Sequence, residues 1–471
     1  MKVLLAASEV APIIKLGGLG DVAGSLPKAL EKIGINADVI VPFYPTAKTD
    51  NLKLYKSIDI NVPFDNKNNV VEVFNTKIPG SNVDVLMLKN DDYFDIGGSS
   101  AYLNNEFESR MFTFFCRAVV EYIKSQFNTY DIVHCNDWHT GLITHLLADE
   151  LDDSRPATLF TIHNLNYQGI ANPDLLRVVG IVPGVHPLID WDVSDGDLNM
   201  VQQGITSSDY INTVSPTYAE EILTKEFGSG LEELLQARTG RLSGILNGLD
   251  YTQFPRDFDL KNFKAEKAEH KKRIFDKFGL TESNSPLFSY IGRIDPYQKG
   301  IDIALEALPE LVKSGGKFIL LGTGDKDYEA KLADFAGKKE NKGSVSVNLK
   351  FDVKLAEEIY SASDFLLVPS RYEPCGLIQM ISMWYGSLPI AHGVGGLKDT
   401  VVEGKNGFVF DNFNSEDLKK AIGRAFEAYN GQSYLGIVEN ALNEDFSWDK
   451  SAQKYADLYK EVVQSREESL K

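Results

Sequence analysis

The sequence predicts an α/β protein of two doubly wound domains, each a parallel sheet with helices on both faces. Three observations lead there. Short β-branched runs alternate with amphipathic helical stretches along the whole chain, the pattern of consecutive βα units. The units fall into two separate series. A chain of 471 residues also exceeds what one core usually organises.

The first series opens with a buried strand over 2–7, because Ser8 and Glu9 cut its apolar run short of a secretory h-region. A helix over about 21–33 follows a long loop, and strands are expected at 38–42, 131–134 and 158–163. The second series gives strands at 286–292, 317–321, 365–369 and 388–391, with helices at about 299–314 and 376–385. A polar, charged stretch at 256–272 lies just past the crossover. The boundary is therefore expected near Gly244–Gly248, with domains over 1–245 and 246–449.

Composition narrows the partners. With 43% apolar and 24% charged residues and 38 glycines, the chain reads as globular with many tight turns. No apolar run reaches membrane-spanning length, so no membrane partner is expected. Cys116, Cys135 and Cys375 include no CxxC pair, which suggests neither a disulfide framework nor structural zinc and fits a reducing cytoplasm. A formal net charge of −19 disfavours nucleic acid and anionic lipid. Lys271, Lys272 and Arg273 stand beside Glu266, Glu269 and His270 and read as a solvated helix face. A neutral polymer is the easier partner.

Ligands of open parallel sheets bind in loops beyond the carboxyl ends of the strands, and the unusual residues fall there. Lys15–Asp21 (KLGGLGD) enters a helix, where glycines and a helix N-terminus suit phosphate or the sugar beside it. Gly18, Gly20 and Ala23 also match GxGxxA, with Asp38 downstream, so a nicotinamide site and a plain turn both stay open. Against the nicotinamide site, the glycines come late after the strand and Asp38 precedes the second strand.

His134–His139 (HCNDWH) ends a strand. It suits a sugar ring stacked on Trp138 and hydrogen-bonded by Asp137, although Asp137 is equally placed to cap a helix. His134 and His139 have no third partner for a metal. His163, in TIHN, is read either as a site imidazole that titrates near neutral pH or as a core histidine.

Arg293 and Lys299 flank a turn that opens a helix (GRIDPYQKG), so two cations converge where a diphosphate leaving group would gather charge. In RYEPCGL, the amides of Gly376 and Leu377 can hold phosphate while Glu373 faces the sugar. Cys375 has no evident paired histidine and is read as packing. His392–Thr400 (HGVGGLKDT) offers another glycine turn for sugar hydroxyls. DxD triplets at Asp190/Asp192, Asp195/Asp197 and Asp257/Asp259 are read as solvated loops, and no metal is expected.

Taken in order, AASEVAP, KLGGLGDV, HCNDWHTG, TIHNLNYQG, TVSPTYAEEI, LNGLD, GRIDPYQKG and SRYEPCGLIQM make the chain resemble the bacterial glycogen synthase and plant starch synthase family from Lys2 to about Trp448. The resemblance implies a retaining glycosyltransferase of GT-B type: two Rossmann-like domains facing across a deep cleft, with a C-terminal helix (about 450–471) crossing back to the first. The first domain would bind the α-1,4-glucan (glycogen or maltooligosaccharide) acceptor and the second the donor, ADP-glucose or UDP-glucose, with no cofactor or metal.

Carried onto this chain, the family's catalytic groups become Glu373, His163, Arg293 and Lys299. Arg293 and Lys299 would grip the diphosphate, and Glu373 and His163 would flank the glucose. The loop holding Lys15 and Gly18 would close over the donor. Asp21, Asn164 and Asn247 would add polar contacts, Asp137 would lie near the acceptor end, and Cys375, Gly376, Leu377 and Thr400 would complete the substrate-binding set. A front-face mechanism is implied, with the leaving phosphate taking the acceptor proton and Glu373 orienting the sugar.

Leu16, Gln202 and His392 replace the family's usual threonine, lysine and arginine, the Arg293–Lys299 turn is one residue longer, and Ile381 stands where related enzymes carry a ribose-binding glutamate. These differences bear on the donor's base. The alternatives are a sucrose- or trehalose-type synthase, a nicotinamide-dependent oxidoreductase and a non-catalytic glucan-binding protein.

Overall fold

Residues 1–95, 106–182, 184–258 and 261–470 are described in the structure, a computed structural model. They divide into two compact units. The first spans 1–214, 219–248 and 448–471, and the second 215–218 and 249–447.

Strands of the first unit are β1 (Lys2–Ala6), β2 (Asn36–Pro42), β3 (Tyr55–Phe64), β4 (Lys67–Lys77), β5 (Asp84–Lys89), β6 (Ile132–Asn136), β7 (Ala157–Ile162), β8 (Ile170–Ala171), β9 (Leu198–Asn199), β10 (Tyr210–Thr213) and β11 (Leu242–Gly244). Among the described residues nine form one sheet, in the order β11-β10-β7-β6-β1-β2-β5-β4-β3. It is parallel from β11 to β5, and an antiparallel β4–β3 hairpin extends it. β8 and β9 pair separately. The central strands β6 and β7 are buried at every position, as strands of a parallel sheet covered by helices on both faces are. Strand order reverses between β1 and β6. Loops leaving those two strands therefore diverge and open a crevice.

The C-terminal helix Trp448–Ser469 packs on this unit. Its buried stripe, Trp448, Ala452, Tyr455, Tyr459 and Val462, follows helical periodicity. Two buried tyrosines tie it to the sheet: Tyr459 OH lies 3.0 Å from His134 Nδ1, and Tyr455 OH accepts from Asn212 Nδ2 at 3.1 Å.

The second unit has β12 (Leu287–Ile291), β13 (Lys317–Leu321), β14 (Val345–Asn348), β15 (Phe365–Val368), β16 (Leu388–His392) and β17 (Phe408–Phe410), all parallel and ordered β14-β13-β12-β15-β16-β17 among the described residues. Here the order reverses between β12 and β15. The loops after those strands carry Arg293, Lys299 and Glu373.

Two expectations need correction. Lys271 is not on a solvated face: it is buried, and its Nζ lies 2.6 Å from Asp364 Oδ2. Asp364 sits buried at the amino edge of β15 and requires a counter-charge, a demand the sequence hides because the partner lies 93 residues away. Nor is Asp192 in a solvated loop. It ends the helix Pro187–Asp192, is buried, and accepts from the Asn199 amide and the side chains of Gln202 and Gln203. Burial pushes its carboxyl up to about 6. Asp195 is exposed, Asp257 pairs with His270, and Asp259 lies outside the described residues. No helix among the described residues is long and apolar enough to cross a membrane.

Candidate active site

In the first unit the loop after β1 is built on Glu9. This carboxylate is fully buried, and its Oε2 accepts the amides of Leu16 and Gly17 at 2.5 and 2.8 Å. A Cβ at Gly20 would lie 2.8 Å from the same oxygen, so only glycine lets the helix start this close. The sequence reading missed Glu9. Its signal was there: a carboxylate directly after a buried strand must have a local partner.

Above this anchor, Lys15 Nζ pairs with Asp21 Oδ1 at 2.7 Å, so those two candidates meet. Gly18 begins the helix Gly18–Lys32, which has no side-chain cap. Its first-turn amides are thus available to an anion.

Asp137 follows β6 with φ of 57° and ψ of 179°, a strained backbone region that residues with a side chain rarely adopt. The turn aims its Oδ1 at the His163 amide, 2.7 Å away. Burial pushes the Asp137 carboxyl up to about 7, against the opposing backbone hydrogen bonds. Trp138 stacks on His139 with ring centroids 4.2 Å apart and meets Phe112 edge-on. Its indole also lines an open pocket of about 630 Å³, with Arg110, Tyr167, Gln168 and Ile170.

His163 Nε2 lies 2.9 Å from Asn136 Oδ1. Asn136 Nδ2 donates to the carbonyls of Ala6 and His134, both at 3.1 Å, so Oδ1 must accept. The proton is then on Nε2, and Nδ1 is left as an acceptor. Burial lowers this imidazole to about 4, so His163 is neutral near pH 7. His134, lowered to about 3 by burial, is committed to Tyr459 and Thr161. Asn164 Oδ1 accepts the Asn166 amide at 3.1 Å. Asn247 is buried with its Oδ1 unpartnered among the described residues.

In the second unit the loops after β12 and β15 are stitched together. Asp295 Oδ1 accepts the amides of Tyr297 and Gln298 at 2.8 and 3.0 Å, and Gln298 O accepts from the Arg371 amide at 2.8 Å. Gly300 has φ of 66°, and a Cβ there would sit 1.8 Å from Pro369 O. Only glycine allows that approach. Lys299 Nζ consequently reaches Glu373 Oε2 at 2.7 Å, where Ser370 Oγ also donates at 3.0 Å. Arg293 contacts Asp295 Oδ2 at 3.0 Å and Gln298 Oε1 at 2.6 Å, with half of its side chain exposed. The arrangement offers two cations and a buried carboxylate in one place.

Gly376 and Leu377 lead into the helix Ile378–Trp384, which has no side-chain cap. Cys375 and Thr400 are buried. Gln379 Nε2 joins Cys375 O, Gly376 O and Thr400 Oγ1 at 2.9–3.2 Å, so these two residues shape the turn from inside. Beside Arg293 opens a mainly apolar pocket of about 530 Å³, lined by Ile291, Phe351, Glu357, Tyr360 and Ile381. Phe351 stands at its edge 86% exposed. Sequence reading missed Phe351, since one aromatic after a strand carries no signal until the pocket beside it is seen.

Among the described residues Asp257, Glu266 and His270 could converge on a cation. Both ring nitrogens of His270 are engaged, however, by Asp257 at 2.9 Å and Arg273 at 3.1 Å.

A starch synthase catalytic domain model matches residues 2–237, and a group 1 glycosyl transferase model matches 271–442. Glycogen synthase of Fervidobacterium nodosum is 40% identical over 98% of this chain and 98% of its own. The chain belongs to the glycogen and starch synthase family. Another member, glycogen synthase of Thermotoga maritima, is 38% identical over 98% of this chain and 99% of its own. The catalytic domain of Arabidopsis thaliana starch synthase IV, solved with ADP and acarbose, superposes with a TM-score of 0.86 at 32% identity, covering 98% and 99% of the two chains. A sucrose-phosphate synthase from Thermosynechococcus elongatus shares the fold alone, with a TM-score of 0.61 at 18% identity over 98% and 99% of the chains. Membership makes the chain a glycosyltransferase, and its two Rossmann-like units are those of the GT-B class.

Proposed function

We propose that the chain transfers glucose from ADP-glucose to the non-reducing end of an α-1,4-glucan, with retention of configuration. The observation that carries this is the Arg293, Lys299 and Glu373 constellation at the strand-order reversal of the second sheet, next to the pocket rimmed by Phe351. The second domain (246–449) binds the donor. Phe351 stacks on the base and, because Ile381 supplies no acid, Glu357 receives the ribose hydroxyls. The bound ADP of starch synthase IV supports adenine over uracil, with UDP-glucose the competing donor.

The first domain (1–245) takes the glucan in the pocket beside Trp138 and Asp137. Acarbose bound to the same relative supports an oligosaccharide as acceptor.

In the transfer the bond from the anomeric carbon to the phosphate oxygen breaks while a bond to the acceptor O4 forms on the same face. The acceptor's proton passes to the leaving phosphate. Arg293 and Lys299 take up the charge that develops on the diphosphate, without a metal. Glu373 orients the sugar through its hydroxyls, and neutral His163 accepts from one of them at Nδ1. Lys15, Gly18, Asp21, Asn164 and Asn247 complete the polar surround, with the turn of Cys375, Gly376, Leu377 and Thr400 beside the phosphate. Three buried cysteines with no disulfide among the described residues support a reducing cytoplasm.

The test is to elongate maltooligosaccharides with ADP-glucose labelled in the sugar, then digest with β-amylase. Labelled maltose identifies α-1,4 addition at the non-reducing end. Label in a disaccharide made directly from a free sugar favours the sucrose- or trehalose-type reading.

A further inference from the structure

The helix Phe263–Phe278 breaks the rule that a packed face is apolar. Its buried positions are Phe263, Lys267, Lys271, Ile274 and Phe275, so lysine twice takes a place where hydrocarbon would pack. Lys264, Lys267, Lys271 and Lys272 all line an open cavity of about 960 Å³. It lies at the amino edge of the second sheet, against Asp364 before β15 and Ser283–Asn284 before β12. The loops of Arg293 and Glu373 leave the carboxyl edge. This cavity is therefore separate from the donor site.

Its charge runs against that of the molecule. Four lysines face two acids, Asp364 and Glu282, in a chain whose formal charge is −19. Asp364 is already spent, holding Lys271 at 2.6 Å, the Leu287 amide at 2.7 Å and Tyr434 OH at 3.0 Å. Lys267 is only 5% exposed, and among the described residues no carboxylate pairs with it. Its ammonium meets the carbonyls of Tyr385 at 3.3 Å and Tyr360 at 3.5 Å. These carbonyls sit at the carboxyl ends of two helices, Ile378–Trp384 and Val353–Ala362, which explains how the side chain can be turned inward. They supply no full counter-charge. Burial lowers Lys267 to about 7 against the opposing charge of Asp364.

We infer that this cavity binds a small phosphate-bearing anion, held by Lys264, Lys267 and Lys272 and by the hydroxyl of Tyr429. Lys271 Nζ donates to Tyr429 OH at 3.1 Å, so the phenol's own proton is free to donate to the anion. The exposed side chains of Lys264 and Lys272 bring their charges to the rim. The volume accommodates an organic phosphate as well as phosphate itself, and an anion here supplies the counter-charge Lys267 lacks.

The test is equilibrium dialysis of the full chain with radiolabelled inorganic phosphate and, separately, phenyl phosphate. Three proteins are compared: the unsubstituted chain, Lys264→Ala/Lys272→Ala, whose two sites are exposed, and Lys299→Ala, which disables the donor's diphosphate site under the proposed function. Saturable binding that survives Lys299→Ala and weakens about tenfold or more in Lys264→Ala/Lys272→Ala is expected, the loss of charge-assisted hydrogen bonds. Tighter binding of phenyl phosphate than of phosphate would also support the site and identify the ligand as a phosphomonoester. Binding abolished by Lys299→Ala would belong to the donor site, leaving that assignment intact and overturning this one. Absence of saturable binding, or binding indifferent to Lys264→Ala/Lys272→Ala, would overturn it as well.

Discussion

Asp137→Asn separates what the carboxylate costs the fold from what it does. The wild-type carboxyl is held at about 7, well above the usual carboxylate range, because burial disfavours its charge. Between pH 5 and pH 7 the folded chain keeps this proton while the unfolded chain has lost it. Folded protein then binds more protons than unfolded, so stability falls as pH rises through that window and levels off above it. One proton over two pH units corresponds to about 2–3 kcal/mol.

Asparagine has no proton to lose, and its amide oxygen can still accept from the His163 amide, which Asp137 now holds at 2.7 Å. The stability of wild type relative to Asp137→Asn should therefore drop by about 2–3 kcal/mol between pH 5 and pH 7 and stay flat from pH 7 to pH 8. All other titrating groups cancel in this difference. The assay is urea unfolding of both proteins at each pH, following the transition of the unit that carries Asp137. A difference that does not change with pH would refute the burial of this charge. Activity on glucan should fall about 10- to 100-fold in the same variant, the worth of one charged hydrogen bond to the acceptor.

Further outcomes follow from the same geometry. Glu373→Gln keeps the Ser370 contact but removes the charge, and should cut kcat about 100-fold or more while donor KM moves only a few-fold; near-normal turnover would remove Glu373 from the site. Phe351→Ala should weaken ADP binding about tenfold by calorimetry, from lost base stacking, and leave maltooligosaccharide binding unchanged; unaltered ADP affinity would place the base elsewhere. Gly20→Ala puts a methyl 2.8 Å from Glu9 Oε2 and should lower stability by about 1–3 kcal/mol, seen in thermal melts; an unshifted melt would mean the Glu9 loop is not tightly packed.

Much of the framework was legible because parallel strands buried on both faces leave unbroken apolar runs. β13 was expected at 317–321 and lies there, and the helix expected at about 299–314 spans Ile301–Lys313. Motif residues were visible because loops after strands carry the unusual glycines and charges. What stayed hidden depends on partners distant in sequence. Lys271 looked solvated because Asp364 is remote, and Asp192 looked like a loop acid because its amide partners lie on the next helix. His163 was left between two roles until Asn136, itself oriented by two carbonyls, fixed its tautomer. Glu9 and Phe351 needed the folded loop and the pocket before their positions meant anything.

Glucan synthesis from a nucleotide diphosphate glucose is the activity to which the site geometry and the family both point. The most direct measurement is nucleotide release with glycogen as acceptor, offering ADP-glucose and UDP-glucose separately in the presence of EDTA, with the product glucan analysed for lengthening. Strong ADP release, weaker UDP release and longer outer chains are expected. Dominant UDP release would move donor choice to Leu16, Gln202 and His392, and no release from either donor would rule out glucan synthesis.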